Sequence, residues 1–137
     1  MINQVFTGTP TSRRFVTLPA AMLAAPSSFP GGTPLLIGTE PCFTLDQPQL
    51  NLGGCTCLFN GTFATTIIAR SVESPVTTKK INPGDPLYAT GTLDSTTNVT
   101  YNLTIDANSG ATPFGHADPT YAGLAAGSTD TAGLVQI

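Results

Sequence analysis

Three cysteines, Cys42, Cys55 and Cys57, one histidine, His116, and a scatter of aspartates are the residues with chemical potential. Thiolates can bind soft metals or attack carbonyls. The C-T-C spacing of residues 55–57 is neither a zinc ribbon nor a redox pair, and His116 lies far along the chain. An odd cysteine count also argues against a complete disulfide framework. The thiols therefore read as small, buried, reduced core residues. His116 has Asp118 close by in GHADP, but no nucleophile stands beside them in sequence. It reads as a polar residue at a strand end. Asp46, Asp85, Asp94, Asp106, Asp118 and Asp130 fall in turn-like contexts, where the carboxylate bonds local backbone. DANSG (106–110) has the start of a calcium loop without its closing glutamate. NGT, NVT and NLT match the glycosylation pattern at Asn60, Asn98 and Asn102, a pattern that a Thr-rich chain produces by chance. No phosphate-binding or dinucleotide motif is present. The expectation is a protein that is not an enzyme, with no catalytic residues, no metal and no cofactor.

The elements around these residues must come from a chain of 137 residues with 14 Gly and 12 Pro, so turns are frequent and long helices few. Only 9% of residues are charged, against roughly 25% in an average soluble protein. The richness in Thr, Val, Ile and Phe favours pleated strands. The net charge is −3, with no basic stripe for a phosphate backbone and no stretch long enough to span a membrane. Neither nucleic acid nor membrane is an expected partner.

The body reads as short strands from Thr33 onward. TPLLIG (33–38) and PCFTL (41–45) suit a hairpin through Gly38–Thr39–Glu40. CTCLF (55–59) and TFATTIIAR (62–70) flank Asn60–Gly61, which predicts a type I′ hairpin. Pro83–Gly84 predicts a type II turn before PLYA. NVTYNLTI (98–105) alternates Val99, Tyr101, Leu103 and Ile105 against Thr100, Asn102 and Thr104, as a half-buried antiparallel strand does. FGHA and AGLVQI read as further strands. The expected fold is all-β: a small antiparallel sandwich or barrel, jelly-roll-like or related.

Residues 1–32 stand apart. They carry Arg13 and Arg14 and no acid, while the remainder holds three basic and eight acidic residues. TSRRFVTLPAAMLAAP has the look of an export signal, but Pro19 and Pro26 cut its apolar run into short pieces. LPAAMLAA is its one helical candidate, with Leu18 and Met22 on one face. Ordering such a segment costs about 1–2 kcal/mol per residue, so it must bury apolar surface somewhere. The expectation is an extended N-terminal arm (1–32) on a β domain (33–137). Its partner-binding residues would be Phe6, Arg13, Arg14, Phe15, Leu18, Met22 and Leu23. The alternative is an arm folded back on its own domain.

The order TPLLIG, FNGTFA, INPGDPLYA, PFGHA and a closing GLVQI resembles that of the small head decoration, or cement, proteins of tailed bacteriophages. In that family a G-D-x-x-Y step opens a strand, here Gly84 to Tyr88. An x-G-x-A strand follows, here Phe114 to Ala117, and a short strand closes the chain. The likeness covers about residues 33–137. It implies a structural virion protein on the outer capsid surface, assembled in the host bacterial cytoplasm. Its partners would be the major capsid protein and its own copies, as trimers or dimers, with the arm reaching onto the capsid. A glycan-binding β module of a tail fibre would need aromatic platforms, and the chain has no Trp and three Tyr. A small β-barrel hydrolase built on His116 is the third alternative.

Overall fold

The computed structural model describes residues 12–71, 76–90, 102–105 and 112–137. The fold is all-β and has two parts. The first is a four-stranded sheet, ordered β1-β4-β3-β2. Its strands are β1 (Arg13–Thr17), β2 (Pro34–Ile37), β3 (Glu40–Thr44) and β4 (Gly54–Leu58). The second is a closed barrel, ordered β5-β7-β6-β8-β9. Its strands are β5 (Thr62–Ile68), β6 (Pro86–Thr90), β7 (Asn102–Thr104), β8 (Thr112–Ala117) and β9 (Thr129–Gln136).

Side chains alternate across a pleated strand, and both faces of the sheet are used. Phe43 and Leu58, paired in register, point to the barrel and join Phe63, Ile67, Leu87, Leu103, Phe114 and Val135 in its core. The Phe43 ring stacks on Phe63 and meets Phe114 edge-on. Leu35, Cys42, Cys55 and Cys57 point the other way, into a second core. That core is closed by the chain between β1 and β2, which forms a short helix α1 (Ala20–Ala24) and a 3-10 turn at Pro26–Ser28. Leu18, Met22 and Phe29 plug it, each buried. The order of layers is helical cap, sheet, barrel.

The expected free arm over residues 1–32 is therefore corrected for its described part. β1 pairs antiparallel with β4 from Arg13↔Leu58 to Thr17↔Gly54, and the cap covers the domain's own thiols. The surface that offsets the ordering cost is the chain's own. The boundary at residue 32 falls between the cap and the strand it covers.

Local signals fared differently. The hairpin of β2 and β3 forms as its sequence suggests. Gly84 has φ 83°, which a type II turn requires, and the Asp85 amide donates to the Asn82 carbonyl. Asn60–Gly61 is not a hairpin: β4 belongs to the sheet and β5 to the barrel. Gly61 instead exchanges backbone hydrogen bonds with Ile137, so the dipeptide turns the chain from one layer into the next. Of NVTYNLTI only residues 102–105 are described. β7 pairs antiparallel with β6 but parallel with β5, and Thr104 is as buried as Leu103 because the strand sits between two others.

Candidate protein-interaction site

Among the described residues β1 is the terminal strand of its sheet, and it carries both basic residues that lie outside the 70–80 stretch. Its residues Arg13, Arg14, Phe15 and Thr17 are exposed, and Val16 is partly buried against the second core. Register explains the split. Val16 lies opposite Cys55 and Arg14 opposite Cys57, so these share the thiol-bearing face. Arg13, Phe15 and Thr17 project to the other face. There the barrel covers β3 and β4, but not the edge strand.

The two arginines differ. Arg14 is held by an ion pair with Glu40, and its guanidinium lies 3.7 Å from the Phe59 ring centroid. At an exposed site such a cation–π contact contributes about 0.5–1 kcal/mol. Arg13 has no carboxylate partner among the described residues. Phe15 is 52% exposed, a large apolar ring on an open strand. Leu50 and Leu52 are also exposed, in the turn that leads into β4 beside the end of β1, where the Leu18 amide donates to Gly53.

Of the residues expected to bind a partner, Arg13, Arg14 and Phe15 are consecutive and exposed on β1, Arg13 and Phe15 on one face and Arg14 on the other. Leu18 and Met22 belong to the cap and are buried in the second core, and Leu23 packs partly against the same core, so these three are internal anchors. That is a correction: their helical spacing marked a buried face, and the surface that buries them is the chain's own sheet. Phe6 lies outside the described residues. The spacing could not reveal the open edge, which exists only once β4 has been placed beside β1.

The other chemically capable groups are built into the fold. Cys55 Sγ lies 3.9 Å from Cys57 Sγ, and all three cysteines are free and buried. Hydrogen bonding with Cys42 and burial push the Cys57 thiol up to about 12, with the Cys55 contact opposing. Hydrogen bonding with Cys57, then burial, raises Cys55 further. These are poor nucleophiles at neutral pH. Among the described residues no group of His, Cys, Asp and Glu is arranged to hold a metal ion. His116 is exposed on β8. Asp118 is buried, taking hydrogen bonds from the Thr62 hydroxyl and from the Thr120 amide and hydroxyl. The Thr120 hydroxyl chiefly, with its amide and Thr62, holds the Asp118 carboxyl below its ordinary value against the effect of burial.

Comparison of the chain with protein-family models, with curated proteins and with solved structures found no match.

Proposed function

We propose that this chain is a structural virion protein that binds the outer surface of a phage capsid and stabilises contacts between major capsid protein subunits. One observation carries the reading. INPGDPLYA, PFGHA and GLVQI, three of the five segments behind the resemblance to head decoration proteins, are separated along the sequence yet become neighbouring strands. Leu87 lies opposite Gly115, and His116 opposite Gln136. These three segments form one structural unit, β6-β8-β9, which supports reading them together.

The surface chemistry fits. A protein that stays bound must bury its surface without stranding ions, and hydroxyls are cheaper to desolvate than charges. The exposed residues Arg13, Arg14 and Phe15 supply the charged and aromatic contacts favoured at protein interfaces. The subunits joined in this way would be capsid protein and further copies of the chain, as a trimer or dimer.

The test is co-sedimentation with phage heads prepared without the protein, followed by heating. The expected result is saturable binding and a higher temperature of head disruption. Phe15→Glu should weaken retention while leaving the melting temperature of the free protein unchanged. Absence of the wild-type chain from the head pellet overturns the proposal.

A further inference from the structure

We infer that the outer edge of β1 accepts an extended acidic segment of a partner protein as an additional antiparallel strand. This rests on the reading above and states how the partner would be held.

Backbone direction is the first ground. The Ser12 carbonyl accepts from the Phe59 amide at 2.9 Å, and the Leu18 amide donates to the Gly53 carbonyl at 3.0 Å. In an antiparallel pair, residues alternate between bonding inward and facing outward. Ser12, Arg14, Val16 and Leu18 therefore turn their backbone groups to β4. Arg13, Phe15 and Thr17 turn theirs away from it, and no described strand lies on that side. Their amides and carbonyls form a ready template for another strand.

Charge selects the occupant. Arg13 and Phe15 share a face, and Arg14 lies between them on the other. A strand with carboxylates opposite Arg13 and Arg14 and an aromatic or β-branched residue opposite Phe15 would complement both. A basic strand would set like charges across the pair. A second copy of β1 centred on Phe15 could match the backbone. In that register, however, Arg13 would face Thr17 and Arg14 would face Val16, so the ladder would hold four guanidiniums and set no carboxylate across from any of them.

The probe is a fluorescent, doubly capped peptide, Thr-Val-Tyr-Glu-Glu, titrated at low salt against the full chain. Controls are Thr-Val-Tyr-Lys-Lys and the acidic peptide N-methylated at Tyr. The acidic peptide should bind about tenfold more tightly than its lysine counterpart, an effect of the size expected for two surface ion pairs replaced by repulsions. Its N-methylated form should lose most of that affinity. Amide exchange should slow at Arg13, Phe15 and Thr17, and Arg13→Glu should reduce or reverse the preference between peptides. Equal affinity for the two peptides overturns the inference. So does protection confined to other strands, or protection of these amides by dimerisation without peptide. Selective peptide binding by a chain that ignores phage heads would sink the capsid reading alone. Head binding without peptide selectivity would sink this inference alone.

Discussion

Phe43 of the sheet lies flat on Phe63 of the barrel, with ring centroids 4.1 Å apart and planes 18° from parallel. Both rings are fully buried, and this stack is the main aromatic seam between the two parts. Its loss opens a cavity where sheet meets barrel. Phe43→Ala should cost about 3–5 kcal/mol and Phe43→Leu markedly less. Urea unfolding followed by near- and far-UV signals checks this. In the wild type both signals should change together, because Phe43 and Leu58 of the sheet are built into the core of the barrel.

Gly54 begins β4 where β1 passes closest. A Cβ built there would fall 1.9 Å from the Val16 carbonyl oxygen, which is backbone and cannot swing aside. Gly54→Ala should therefore push β1 outward and destabilise by about 1–3 kcal/mol, the usual range for overpacking. Hydrogen exchange should quicken first in residues 13–17 and in the α1 cap, ahead of the barrel.

The cap is also a shield for the thiols. In the folded chain Cys42, Cys55 and Cys57 should resist a disulfide reagent at pH 8, and all should react in urea. Met22 is fully buried among them. Met22→Ala should cost about 2–5 kcal/mol and speed labelling of the folded protein, which a colorimetric thiol assay would follow.

Asp118 gives a pH dependence of definite sign. Its carboxyl in the folded chain titrates below the unfolded value of about 3.9. The stability it adds is therefore present above that value and is lost as pH falls through the lower folded value. At pH 7, Asp118→Ala should cost about 1.5–3 kcal/mol, the scale of hydrogen bonds to a charged group. The gap in urea midpoint between wild type and Asp118→Asn should narrow as pH falls from 5 to 2.

Strand positions were legible where they depend on local chemistry. Proline and glycine at 83–84 can close a turn whatever lies around them, and FGHA and AGLVQI are strands for the same local reason. Partnerships were not legible. Asn60–Gly61 has the composition of a tight hairpin, but β4 finds β1 and β3 as neighbours and β5 finds β7 and β9. Leu18 and Met22 announced an apolar face without naming what covers it. The candidate site followed the same pattern. Arg13, Arg14 and Phe15 were visible as residue types, while the outward-facing backbone depends on pairing across some forty residues.

The middle of the sheet has core on both sides, and β4 pays for this in freedom to vary. A strand with one wet side can change at every second position over generations. From Gly54 to Leu58 only Thr56 is even partly accessible. Saturation mutagenesis should find this stretch intolerant at consecutive positions, a frozen block beside β1, where Arg13, Phe15 and Thr17 are free to acquire new binding preferences while Val16 keeps the strand seated.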